Sequence, residues 1–213
     1  MRPAPGEVLH FSEDPTIARF EPHVAATARQ PEAYVWAVDH DRAPDYWFPR
    51  QCPRAMAWVE PTTSAEDRAW LGAERVHAIE FGWLGRMRTA CLYAYRFDAR
   101  AFRPFGEPPN AHVATGPVEP LGPPVPVGDL LVPHEAAGIE VRVMANLWPF
   151  WRRVVASTLG FSGIRLRNAL PEPGGPEESA GPAGPAGPLG PGETEESAAP
   201  EGPAAPGGPA GPQ

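Results

Sequence analysis

The chain has no lysine; all 18 of its basic residues are arginine. Schiff-base chemistry through a lysine amine is therefore excluded. Cysteine is nearly absent too. Cys52 sits in a proline-flanked loop and Cys91 at the entry to a strand pattern, and neither belongs to a CxxC or zinc spacing. No P-loop, G-x-G-x-x-G or G-x-S-x-G occurs, which argues against P-loop NTPases, dinucleotide-fold oxidoreductases and α/β-hydrolases. No metal site is expected: His77 and Glu80 are three apart, which on a strand puts them on opposite faces. His10, Glu13 and Asp14 have no later histidine pair at a ligand spacing. Long apolar runs are missing as well. Nothing approaches the roughly 20 residues of a membrane span, and the start MRPAPGEVLHF lacks a signal-peptide core. A cytoplasmic protein with reduced thiols and no membrane partner is the expectation.

What is abundant is confined to one end. Residues 171–213 hold 12 Pro and 11 Gly, and Leu189 is the one large apolar side chain among them. Such a segment buries too little apolar area to offset the entropy of ordering its backbone, so it is expected to be disordered. It also holds seven Glu and no basic residue, so the net charge of −8 comes almost wholly from it. Residues 1–170 are close to neutral, and no basic surface for duplex nucleic acid is written into them. The division expected is a folded domain over 1–170 and an acidic tail over 171–213, the tail being a candidate protein-binding segment.

Within the domain, Val8–Phe11 reads as a first strand. Ser12-Glu13-Asp14-Pro15 then signals a short helix carrying Ile17 and Phe20 on one face. Tyr34–Val38 is a run of strand formers, Asp39 ends it, and a turn carries Ala43, Tyr46 and Trp47. Arg54–Val59 is the next strand, and Ser64 with Asp67 three residues later approximates a capping box for a helix to about Leu71. Val76–Phe81 and Cys91–Phe97 form the clearest strand pair. Ala111–Thr115 and Ile139–Val143 follow as strands, with a short helix near Gly128–Ala137 between them. Asn146-Leu147-Trp148-Pro149 starts a helix with Phe150, Trp151, Val154, Val155 and Thr158 on one face and Arg152 and Arg153 on the other. The sum is an α+β domain with a curved, mainly antiparallel or mixed sheet and a few short helices.

The stretch Tyr34–Arg54 gathers aromatics and arginines more densely than a plain scaffold needs. Arg50 and Arg54 flank Pro49, Cys52 and Pro53, and a planar fork of donors on a stiff loop suits a phosphate or carboxylate. The same pair could serve as ion-pair partners of Asp39 or Asp45. Tyr46 and Trp47 fall in a turn, where a stacking role fits an aromatic, whereas Trp36 reads as core. Cys52 beside two guanidiniums invites a lowered pKa, but no His lies close in sequence to act as its base. His10 and Ser12, two apart on a strand, share a sheet face and could hold a ribose or a phosphate oxygen; the alternative is a polar pair closing the strand end.

Three blocks, Leu9–His23 (LHFSEDPTIARFEPH), Val35–Arg54 (VWAVDHDRAPDYWFPRQCPR) and Leu147–Ala169, resemble a bacterial family of unknown function common in actinobacteria. That resemblance covers about residues 7–169 and implies an independent domain. A second resemblance is to the ADP-ribosyltransferase fold, which opens with a strand His followed two residues on by Ser or Thr, as His10 and Ser12 do. It implies that His10 holds the ribose of NAD and that an aromatic, here Tyr46, packs on the nicotinamide. The chain departs from that pattern where a catalytic Glu stands near the last motif strand, since Ala111–Thr115 holds none. Glu119 is the nearest acid after it and Glu107 lies before it. The resemblance thus implies a nucleotide- or phosphate-ligand domain with NAD as candidate cofactor, His10, Ser12, Tyr46, Arg50 and Arg54 as binding residues and Glu119 as catalytic acid. The competing class is a non-catalytic interaction module using the Arg/aromatic loop as its surface.

Overall fold

A computed structural model describes residues 1–24, 32–106 and 109–174. The expected disorder of the tail falls almost entirely on residues 175–213, and Glu107 also lies outside the described residues. Among those described, ten strands run in chain order: β1 (Glu7–Ser12), β2 (Val35–Ala37), β3 (Arg54–Trp58), β4 (Arg75–Glu80), β5 (Tyr93–Asp98), β6 (Arg103–Phe105), β7 (Ala111–Ala114), β8 (Val125–Pro126), β9 (Glu140–Met144) and β10 (Gly160–Ile164). Four short α-helices are interspersed: α1 (Ala65–Leu71), α2 (Leu84–Thr89), α3 (Leu131–Ala136) and α4 (Trp148–Val155).

The strands divide among three sheets, ordered β1-β5-β8, β10-β3-β4-β9 and β2-β7-β6. Pairing is antiparallel except for β4 with β9, which are parallel. The α+β class with mainly antiparallel and mixed sheets therefore stands, spread over three sheets. The central four-stranded sheet is built on small residues. Ala55, Ala57, Val76 and Ala78 turn one face to Leu147, Phe150 and Val154, around α4. Met56 and Ile79 turn the other to Phe48, Met87, Leu92 and Leu130. Period-two alternation of wholly buried residues makes this strand pair a two-sided core element.

Local chemistry sets the ends of α1. Ser64 Oγ accepts from the Asp67 N–H at 3.1 Å, and Gly72 closes the helix with φ of 71°. In α4, Phe150 and Val154 are buried as expected, but Val155 is 43% exposed because the helix ends there. Its arginines are paired: Arg153 with Asp67 at 2.8 Å and Arg152 with Glu172 at 2.8 Å.

Two expectations are corrected. Residues 13–19 form no helix, because the groups that would begin one are bonded otherwise. Ser12 Oγ accepts from Asp14 N–H, Asp14 Oδ1 accepts from Thr16, and the Tyr95 hydroxyl accepts from Ile17 N–H while donating to the Asp14 carbonyl at 2.7 Å. Nor do β4 and β5 pair. The connection between them folds as a 3-10 turn (Phe81–Trp83) and α2, so β5 joins β1 in a different sheet with His10 opposite Tyr95.

Candidate functional site

β1 and β2 touch at one bridge. Leu9 N–H donates to Val38 C=O at 2.9 Å, and Val38 N–H returns the bond at 2.8 Å. Beyond it the strands part. The Trp36 carbonyl, which a continued ladder would bond to backbone, is met instead by His10 Nδ1 at 2.8 Å. Where they diverge lies a small half-open cleft of about 40 Å³, lined by Leu9, His10, Phe11, Trp36, Ala37, Val38 and Tyr46. That volume holds two or three waters. A dinucleotide would have to lie across the cleft with only one edge inside.

A carbonyl oxygen can only accept, so His10 Nδ1 carries the proton and Nε2 of the neutral ring is its lone-pair acceptor. Neutrality is enforced. Burial lowers the His10 pKa to about 4, and the charges of Arg50 and His23 push the same way against the Trp36 bond. The ring also packs on Phe20, centroids 4.9 Å apart. Three side-chain nitrogens, His23 Nε2, Trp36 Nε1 and Trp47 Nε1, are buried with no hydrogen-bond partner among the described residues.

The five binding residues expected from sequence separate into those at the cleft and those away from it. His10 and Tyr46 line it together. Ser12 is on the His10 face of β1, but its hydroxyl is engaged in the turn to Asp14 at 3.1 Å. Arg50 is half-buried; its N–H donates to Glu13 Oε1 at 2.9 Å, and its charge reaches His10. Arg54 is at no surface. It is 3% exposed, with Nε donating to the Asp45 carbonyl at 2.8 Å and Nη1 to the Cys52 carbonyl at 3.0 Å. Its guanidinium lies over the rings of Phe48 and Tyr46, 4.9 and 5.6 Å from their centroids. Glu119 is largely exposed, 3.8 Å from Arg19 and one residue past Val118, which bridges Phe20.

Burial also reverses the expectation for Cys52. Its thiol pKa is pushed up to about 12, mainly by desolvation that the Arg54 charge only partly offsets. Trp47 and Phe48 are each 1% exposed, so these two aromatics belong to the interior and Trp47 has no exposed face for stacking. Burial, reinforced by Asp45, likewise raises the Tyr46 pKa, so its hydroxyl stays a neutral donor.

A buried polar network around Asp45 has no local sequence signal. Asp45, on the 3-10 turn Ala43–Tyr46, pairs with Arg42 at 3.3 Å and with Arg75. Arg75 Nε donates to His77 Nε2 at 3.0 Å, and His77 Nδ1 lies 3.1 Å from His134 Nε2. His77 and His134 are 57 residues apart, so only the tertiary fold brings them together. Among the described residues, no group of three or more His, Cys, Asp or Glu is placed to hold a metal ion. No helix there is long and apolar enough to cross a membrane.

Compared with known proteins, residues 9–169 match the model of a family described as "Family of unknown function (DUF6886)". No curated protein and no solved structure matches the chain.

Proposed function

The chain belongs to the DUF6886 family, whose function is unknown, and we propose that its site is a ligand pocket for a ribose-bearing nucleotide at the His10–Tyr46 cleft. The observation that carries this reading is the 2.8 Å bond from His10 Nδ1 to the Trp36 carbonyl. It makes the ring at the cleft an acceptor through Nε2, and an acceptor selects a hydroxyl or N–H and disfavours a bare phosphate oxygen. A ribose hydroxyl supplies that donor. Arg50, close enough for its charge to act on His10, is the group for the attached phosphate. Tyr46 offers a ring wall.

NAD fits this pattern as a cofactor or substrate, and ADP-ribosyl transfer is the reaction that would follow. Glu119 would then be the acid beside the ribose, released from Arg19 when ligand binds. The protein would work in the cytoplasm, where Cys52 and Cys91 remain reduced.

Calorimetric titration with NAD, ADP-ribose, AMP and inorganic phosphate tests the reading. Saturable binding of the ribose compounds, with phosphate alone weak, is expected. His10→Ala should weaken it by about 2- to 12-fold for one neutral hydrogen bond, and more if the ligand hydroxyl is left buried and unpaired. Absence of binding by every ribose compound at millimolar concentration would sink it. Binding without turnover in wild type, unchanged by Glu119→Gln, would leave a receptor site and remove the transferase.

A further inference from the structure

The buried histidine pair forms a directed chain whose protons are fixed by its two ends. At one end His134 Nδ1 lies 2.7 Å from the Leu130 carbonyl, which can only accept, so that nitrogen donates and His134 Nε2 is an acceptor. His77 Nδ1, 3.1 Å away, must therefore donate to it. That leaves His77 Nε2 as an acceptor, and the Arg75 Nε–H, a donor at every accessible pH, fills it at 3.0 Å. Every ring nitrogen has one partner of the opposite kind. An added proton can enter only at one of the two Nε2 positions, where it faces a donor already in place.

We propose that this pair is an acid-sensitive latch: one proton on either ring breaks the chain and frees α3 from the strand and turn it clamps. The surroundings leave a new charge poorly compensated. His77 and His134 are 0% and 1% exposed, so no solvent reaches them. Arg75 from β4 and Arg54 from β3 face both rings, and the N-terminal ammonium adds to the positive field at His134. The acid facing the pair is Asp45, 3.8 Å from His77 Nε2, and it is already held by Arg42 and Arg75. The remaining walls are the rings of Trp47 and Phe48, 5.4 and 4.9 Å from His134 by centroid.

The latch is placed where its loss has a local consequence. α3 is a six-residue helix whose Val132 is 58% exposed, so beyond His134 its hold on the core rests on Leu130, Leu131 and Pro133. The chain leaves it through Ile139, whose N–H donates to the His134 carbonyl at 2.9 Å. It then enters β9, the edge strand of the central sheet. A displaced His134 ring thus loosens α3 and the start of β9, while β5 in another sheet keeps all its bonds.

The test uses the full chain. Imidazole ¹⁵N NMR at pH 7 should show both rings neutral and protonated at Nδ1. Amide exchange from pH 7 to pH 4.5, corrected for intrinsic exchange, should show residues 131–144 losing protection by on the order of 100-fold while staying less protected than residues 93–98 at every pH. His134→Gln, which removes one of the two proton sites, should lessen that loss. Nε2–H tautomers, equal protection in both segments, or a His134→Gln profile like the wild type would each overturn the latch. Should the variant not fold, the wild-type tautomers and exchange pattern still decide. Because no ligand enters these measurements, the outcome is independent of the cleft reading.

Discussion

Replacing Arg54 by alanine should destabilise the domain by about 3–5 kcal/mol and act on ligand binding only through folding. Both guanidinium bonds go to main-chain carbonyls, those of Asp45 and Cys52. Truncation leaves two buried acceptors without their charged donor, at roughly 1–3 kcal/mol each. It also empties the space between the Phe48 and Tyr46 rings, a cavity term comparable to a large-to-small core change. Set against these is the relief of no longer burying a cation; desolvation already lowers the Arg54 pKa, so that relief is real. For a domain with about 5–15 kcal/mol in total, the remainder is a large fraction. Urea unfolding followed by tryptophan fluorescence measures it: with a slope of about 2 kcal/mol/M, the midpoint should fall by roughly 1.5–2.5 M at unchanged slope. Arg54→Met should recover the packing part, and Arg54→Lys should recover less than its charge suggests, because an ammonium cannot reproduce the fork. An Arg54→Ala protein with a wild-type midpoint and no ligand binding would refute this reasoning and put the guanidinium in the site.

Gly160→Ala should cost about 1–3 kcal/mol, measurable in the same urea titration, because the new Cβ would overlap Trp58 Nε1 and come within 2.7 Å of Glu60 Oε1; a neutral effect would mean that Trp58 swings aside freely. Acid should weaken the fold well before its carboxylates protonate. The His134 pKa is held at about 4 by burial against 6.5 for the free side chain, so the neutral ring contributes fully above pH 6.5 and loses that contribution as pH falls toward 4. The loss amounts to about 3 kcal/mol from this one group. Unfolding free energies that stay level from pH 6.5 to pH 4.5 would contradict the assignment.

Much of this fold is legible in the sequence, and the reason differs from element to element. β3, β4, β5, β7 and β9 lie within two residues of the expected stretches, because each turns at least one face, half-buried in β9 and buried in the others, to the core. The Ser64–Asp67 cap is local chemistry and forms as written. The expected helix after Ser12 fails because its deciding partner, Tyr95, is 81 residues from Asp14, and no window of sequence contains both. β10 escapes notice because its glycines make room for other residues' rings: a Cβ at Gly163 would meet Trp151 at 2.8 Å.

The candidate site divides on a subtler point. His10 and Arg54 look alike on paper, each a polar residue in a strand near a proline-rich turn, yet one lines a cleft and the other is sealed. Alternation holds part of the answer, since Arg54 shares a strand face with Met56, which is fully buried, and so points inward from the start. The rest depends on neighbours. Arg54 is paired with Ile164 of β10, and the rings of Phe48 and Tyr46 cover its guanidinium. β1 has β5 along its whole length but meets β2 at a single bridge, Leu9 with Val38. Two residues past that bridge, at the Trp36 carbonyl, a ladder bond is missing, and the imidazole of His10 supplies it. A cleft arises there because the strands part while their polar groups still need partners. Which strand lacks a neighbour is a property of topology, and topology is what residue spacing does not encode.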